Sequence, residues 1–311
     1  MFLILMGAGR NGSFFVRNRL ALLRDKYENV FFFDNDESKW GSFRENIRIM
    51  FPNEMDNIIL TEHFDIIITA DEWKSLYKQC VDIHISDHVI DIITLKYNPY
   101  WELEDRVISK YGFVDSLINN KCVFQYNRPI PWYTYSTIEY LEELDFSDKS
   151  VFEYGSGFSS FYWAERCKNL ISVENDKSWA ELIKKERKSN QEIILSEIKE
   201  EYVEAIHSHN IKYDVIVIDG VWRDSCAQHA ITCIAQDGMI ILDNSERVSF
   251  SDEYRRAVRI LESLDFIQID FKGIGAINTY AWATSVFVSR ENRYRRKNAY
   301  SPSIPIGGIQ E

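Results

Sequence analysis

Four acids in this chain stand where chemistry would need them. Residues 151–160 read Val-Phe-Glu-Tyr-Gly-Ser-Gly-Phe-Ser-Ser, an apolar strand carrying Glu153 that breaks into a turn through Gly155, Ser156 and Gly157. Glycines let the backbone bend sharply and let a ligand approach closely. Glu174, followed by Asn175, ends the next apolar run and lies 19 residues after Gly155. That is the reach at which an acid meets the ribose hydroxyls of an adenosine ligand. Two later apolar runs, 214–219 and 238–243, end in Asp219 and in Asp243-Asn244, with Arg223 just beyond the first. Buried strands avoid charge, so four acids at four strand ends are hard to explain by packing. The turn fits a dinucleotide or S-adenosylmethionine. Ser160 replaces the third glycine that a pyrophosphate would want, whereas a cofactor without phosphate tolerates a side chain there.

The elements that must position these residues alternate strand and helix. Helix patterns cover 161–168, 177–187, 197–207 and 225–235, and an apolar strand covers 192–195. Ligands of such sheets bind beyond the carboxyl ends of the strands, where Glu153, Glu174, Asp219 and Asp243 fall. Two further runs, 266–271 and 280–289, predict a closing antiparallel hairpin. Ahead of the sheet, Pro129 and Pro131 stiffen an aromatic stretch. Ser136 to Glu139 has the capping-box spacing for a helix over 136–144. Trp132 and Tyr133 then fall either near the mouth of the site or in the core, and Tyr280 and Trp282 line an acceptor pocket or pack inside.

The N-terminal region repeats the theme. A strand at 2–6 runs into Gly7-Ala-Gly9-Arg-Asn-Gly12, then a helix pattern, then a strand at 29–33 ending in Asp34. Strand, glycine turn, helix, strand and acid together give a G-x-G-x-x-G its meaning. Gly9 and Gly12 would face a phosphate and Asp34 a ribose hydroxyl; the alternative is a unit kept for dimerisation or docking. A third strand is expected at 64–69, followed by a helix over 72–80. Residues 81–90, with His84 and His88, alternate like a strand and offer no convincing third metal ligand.

The turn 153–157 with Glu174 resembles motif I of class I S-adenosylmethionine-dependent methyltransferases. The run 131–287 resembles one bacterial family of that class. It shares a Pro-Trp-Tyr-Thr-Tyr lead-in, Phe-Glu-Tyr-Gly-Ser-Gly, Val-Ile-Asp-Gly followed by arginine and cysteine, Leu-Asp-Asn-Ser, and Asn-x-Tyr-x-Trp-x-Thr-Ser. The resemblance implies S-adenosylmethionine held by Glu153, Gly155, Ser156, Gly157, Glu174 and Asn175, with Glu153 toward the methionine amino group. Asp219 and Arg223 are the catalytic candidates by position, Arg223, just beyond the turn, facing an anionic acceptor or solvent. Cation-dependent catechol-type O-methyltransferases also carry an Asp after the fourth strand and an Asp-Asn after the fifth. Asp219, Asp243 and Asn244 would then be magnesium ligands; otherwise Asp219 orients the acceptor or takes its proton. Residues 7–12 with 33–41 resemble Rossmann-like domains that precede polysaccharide-modifying enzymes. That implies a nucleotide or nucleotide-activated sugar at Gly7, Gly9, Gly12 and Asp34.

Composition bounds the rest. The chain has 311 residues, 45% hydrophobic and 27% charged, with net charge −12. That balance suits a globular protein of two units and argues against nucleic acid or anionic membrane as main partner. Five scattered cysteines without a Cys-x-x-Cys pair read as reduced, buried thiols of a cytoplasmic protein. No apolar run reaches a membrane span, and residues 1–6 read as a strand, not a signal peptide. The expectation is an α/β protein: a Rossmann-like domain over 1–95, a connector over 96–130 turning at 96–101, a methyltransferase sheet over 131–290, and a flexible basic tail over 291–311. Its function would be methyl transfer to a small-molecule or glycan acceptor in surface polysaccharide biosynthesis. A nicotinamide-dependent oxidoreductase using Gly7 to Gly12, and a non-catalytic nucleotide-sugar scaffold, are the other readings. A homo-oligomer is compatible with all three.

Overall fold

The computed structural model describes residues 1–95, 100, 103–124, 127–297 and 302–308. The chain divides into two compact units, Met1–Lys110 and Tyr111–Glu311. The division falls inside the expected connector; of its expected turn at 96–101, only Tyr100 is among the described residues.

The first unit runs β1 (Phe2–Met6), α1 (Arg10–Asn18), β2 (Asn29–Phe33), β3 (Phe43–Arg44), β4 (Ile47–Arg48), α2 (Pro52–Thr61), β5 (Phe64–Ile68), α3 (Trp73–Asp82) and β6 (Val89–Ile92). Strands β2-β1-β5-β6 form a parallel sheet, with β3-β4 a separate hairpin. Apolar side chains alternate along β1: Leu3 and Leu5 pack with Phe14 and Phe15 of α1, Ile4 and Met6 with Met55 and Ile58 of α2. This is why its strands read as continuous apolar runs. Residues 81–90 are not one strand. Helix α3 continues to Asp82, His84 takes a positive φ of 58°, and a 3-10 turn at Ser86–His88 precedes β6.

The second unit runs α4 (Phe113–Asn119), β7 (Val123–Phe124), β8 (Arg128–Pro129), α5 (Tyr135–Glu142), β9 (Ser150–Tyr154), α6 (Phe158–Ala164), β10 (Asn169–Glu174), α7 (Lys177–Glu186), β11 (Gln191–Leu195), α8 (Lys199–Glu204), β12 (Tyr213–Ile218), α9 (Arg223–Cys233), β13 (Ile234–Asp243), α10 (Asp252–Leu261), β14 (Phe266–Gly273) and β15 (Trp282–Ser289). Its seven-stranded sheet has the order β11-β10-β9-β12-β13-β15-β14. All neighbours are parallel except β15, which is antiparallel to both β13 and β14. The expected α/β class, a Rossmann-like sheet closed by an antiparallel hairpin, is therefore present. The order reverses at β9, between β10 and β12, the switch point beyond whose carboxyl end ligands of such sheets bind.

The N-cap of helix α5 falls two residues earlier than its capping box predicts. Thr134 is the extended N-cap residue, and its Oγ1 lies 2.7 Å from Oγ1 of Thr137. The described part of the tail is docked. Asp145 donates its N–H to the Arg295 carbonyl, Lys297 to Glu143, and Ile306 to the Glu139 carboxylate. The expectation of a flexible terminus overlooked these partners: Tyr294, half-buried against apolar side chains, also donates its hydroxyl to the Asp214 carbonyl.

Candidate functional site

The turn between β9 and α6 is set by backbone demands. Gly155 has φ +91°, and a Cβ there would stand 2.9 Å from Gly220 Cα. Only glycine meets both conditions. The turns after β9 and β12 therefore touch, backbone to backbone.

Glu153 lies under this turn with no solvent exposure. Its register partner on β10 is Ser172, whose hydroxyl donates to Oε2 at 2.8 Å. Ser160 donates to the same oxygen at 2.5 Å and accepts the Gly157 N–H at 3.0 Å. The residue in the third-glycine position is thus a strut between turn and acid. Oε1 of Glu153 is buried and has no hydrogen-bond partner. Burial raises its pKa from 4.5 to about 7; the neighbouring serine hydroxyls oppose the rise and the charge of Asp219 adds to it. A buried carboxylate oxygen without a donor asks for a cation or a proton.

Glu174 ends β10 and is also buried. Oε2 accepts the Ser156 N–H at 2.8 Å and the Ser156 hydroxyl at 3.2 Å, while Oε1 accepts the N–H groups of Asn175 and Asp176. Four donors fill its acceptor sites. A ribose hydroxyl would take the place of the Ser156 hydroxyl, the only rotatable one of the four. Trp179 donates its indole N–H to the Ser156 carbonyl at 2.6 Å, holding the turn from the α7 side.

Asp219 follows β12 and Asp243 ends β13. Thr284, the register partner of Asp243 on β15, donates to its Oδ1 at 2.5 Å, and Trp282 Nε1 donates to it at 3.2 Å. Thr134 passes its N–H to Thr284 Oγ1 at 3.2 Å, which ties the aromatic lead-in to this network. Tyr133 is fully buried, whereas Trp132 and Tyr280 are 44% and 60% exposed. Burial, then the Asp219 charge, pushes the Asp243 pKa well up. Asp219 rises to about 6, by burial first, with Arg223 holding it down. Arg223 Nη2 lies 3.1 Å from Asp219 Oδ1 and 3.3 Å from Asn244 Oδ1.

This arrangement corrects two expectations. Arg223 neither faces solvent nor is free for an anionic acceptor; it is buried, and its guanidinium is spent on its own two loops. Asp219, Asp243 and Asn244 do not converge on a magnesium ion. The guanidinium lies between Asp219 and Asn244, and the Asp243 carboxylate points to Thr284 and Trp282. Among the described residues no group of three or more His, Cys, Asp or Glu side chains is placed to hold a metal.

Sequence reasoning missed Ser172, Thr284 and Trp179. Ser172 had a signal, being a polar residue inside an apolar strand. Thr284 stands in the Asn-x-Tyr-x-Trp-x-Thr-Ser run, but its partner Asp243 needed the strand register, and Trp179 looked like ordinary helix surface. In the first unit, Ala8 N–H reaches Asp34 Oδ2 at 2.8 Å, and Asp34 Oδ1 accepts from Asp36 N–H and Lys39. Gly7 has φ +113°, Gly12 packs on the Gly7 carbonyl and Phe32, and the space beside Gly9 is open.

No protein-family profile matches the chain, and no curated protein matches it. Solved structures with a similar trace include the O-methyltransferase TomG from Streptomyces achromogenes in complex with S-adenosylmethionine. It is 16% identical, TM-score 0.39, over 49% of this chain and 77% of that one. Spermidine synthase from Thermotoga maritima is 16% identical, TM-score 0.39, over 51% and 61%. N-methyltransferase NodS from Bradyrhizobium japonicum is 14% identical, TM-score 0.37, over 49% and 93%. Among the described residues no helix is long and apolar enough to cross a membrane.

Proposed function

We propose that the unit Tyr111–Glu311 transfers a methyl group from S-adenosylmethionine to a small-molecule or glycan acceptor, by O-methylation in polysaccharide biosynthesis. The observation that carries the reading is the unpartnered Oε1 of Glu153, a buried anion beneath a glycine turn. A cationic cofactor supplies what that oxygen lacks, so the residues fit the group. Gly155, Ser156 and Gly157 would cradle it, Glu174 would take a ribose hydroxyl from Ser156, and Asn175 would border the base.

When bound, S-adenosylmethionine supplies a methyl carbon activated by the sulfonium. The protein's work is to bind, align and exclude water. Glu153 holds the ammonium end. Asp219, one oxygen engaged by Arg223 and its side chain 20% exposed, accepts the acceptor hydroxyl's proton on its other oxygen. Arg223 holds that carboxylate in one orientation. No step runs through a metal.

We infer further that the first unit holds a nucleotide or nucleotide-activated sugar at Gly7, Gly9, Gly12 and Asp34, supported by the open space beside Gly9. Calorimetry with S-adenosylhomocysteine, NAD and nucleotide sugars tests both parts. Glu174→Ala should abolish S-adenosylhomocysteine binding, and unchanged affinity would refute the assignment. NAD binding alone would favour the oxidoreductase, and nucleotide-sugar binding alone the scaffold.

A further inference from the structure

The loops after β12 and β13 present four oxygens to one guanidinium, that of Arg223. Its Nη2 donates to Asp219 Oδ1 at 3.1 Å and Asn244 Oδ1 at 3.3 Å, its Nε to the Gly220 carbonyl at 3.0 Å, and its Nη1 to the Asp243 carbonyl. Two side-chain oxygens and two carbonyls are the donor set a hard divalent cation takes. The guanidinium side chain is 9% exposed, and the Tyr254 ring lies 5.1 Å from its central carbon.

The backbone is built to hold it there. Trp222 takes a left-handed φ of 51°, unusual for so large a residue, and Arg223 opens α9 directly after it. Asn244 takes φ 57° at the start of the facing loop. The Arg223 N–H is held by Glu253 of α10 at 2.6 Å. Main chain and head group are both fixed, so the side chain cannot swing out to a ligand.

We propose that Arg223 is a resident cation. It joins the two catalytic loops as a divalent ion would, and this site neither binds nor needs one. The consequence for catalysis rests on the methyl-transfer reading; the occupancy itself does not. An arginine keeps its charge at every working pH and cannot be chelated away. With four of its N–H groups already given to protein oxygens, it lacks the adjacent open positions with which a metal ion chelates two acceptor oxygens. The site therefore suits an acceptor presenting a single nucleophilic hydroxyl.

The test uses manganese(II), a paramagnetic stand-in for magnesium, titrated into the full chain and followed by electron paramagnetic resonance. The wild type should bind none at low millimolar concentration. Arg223→Ala should bind one ion at that concentration, because removing the cation leaves Asp219 without its partner. The double variant Arg223→Ala with Asp219→Asn should lose that gain. Guanidinium ion should raise the melting temperature of Arg223→Ala and displace its manganese. If Arg223→Ala does not fold, wild type against Asp219→Asn decides. One ion bound by the wild type and lost in Asp219→Asn would overturn the proposal, as would a folded Arg223→Ala that takes up neither manganese nor guanidinium. Calorimetry of the wild type with S-adenosylhomocysteine runs alongside. A failure there sinks the methyl-transfer reading and leaves the manganese result standing.

Discussion

Replacing Glu153 with Gln should make the second unit more stable at alkaline pH and a poorer binder of its cofactor. The carboxyl has no solvent exposure, and its pKa is raised from 4.5 to about 7. The folded protein therefore holds this proton over a range in which the unfolded chain has released it. Stability from this group is complete below pH 4.5 and is lost as pH rises through 7. At about 1.36 kcal/mol per pH unit, the loss at pH 8 is about 3 kcal/mol. A neutral carboxamide escapes it. For a unit of about 200 residues, 3 kcal/mol corresponds to roughly 6–12 °C in melting temperature. The assay is thermal unfolding of wild type and variant at a series of pH values. The gap should be near its maximum at pH 8 and close by pH 5. A variant less stable than the wild type at pH 8, or a gap independent of pH, would refute the account of Glu153 as an anion short of a partner. Titration with S-adenosylmethionine should run the other way, protecting the wild type more than the variant. A strained group kept for binding rather than stability behaves so.

Gly155→Ala forces a side chain into φ +91° and against Gly220 backbone, and should cost roughly 2–4 kcal/mol in chemical denaturation. Gly157→Ala meets nothing closer than 3.9 Å and should stay within about 1 kcal/mol of wild type; equal costs would count against the loop geometry. If Asp219 takes the acceptor's proton it must be ionised, so kcat/KM should fall below about pH 6. Asp219→Asn should lose roughly 100- to 10,000-fold with the first acceptor that turns over. A flat profile through pH 6 would remove it from that role.

The strands were legible because buried parallel strands are apolar from end to end. Residues 214–219 and 238–242 could hardly be anything else. Their terminal acids were legible as exceptions to that rule. The identity of the partners was not, because it depends on register. Thr284 meets Asp243, and Ser172 meets Glu153, only once β13 faces β15 and β10 faces β9. Arg223 shows the limit most clearly. The spacing of Asp219, Asp243 and Asn244 fits a metal site as well as an arginine clamp. The difference lies in the left-handed turn at Trp222 and in Glu253 of another helix, neither of which leaves a mark at that spacing.

The two glycine turns sharpen the point. In each unit the first glycine has positive φ, and the acid ending the next strand accepts the N–H of the residue after it: Ala8 to Asp34, Ser156 to Glu174. The spacing of turn and acid is therefore satisfied by the protein itself, with no ligand required. As evidence of fold it is strong, and as evidence of a ligand it is conditional. What separates the units is the residue two before the first glycine. In the second unit it is Glu153, an unpaired anion; in the first it is Leu5, packed against Phe14. A cationic cofactor has a partner beneath one turn and hydrocarbon beneath the other. The proposed placement of the sulfonium in the second unit rests on this asymmetry, since the apolar floor of the first unit offers a cation no counter-charge.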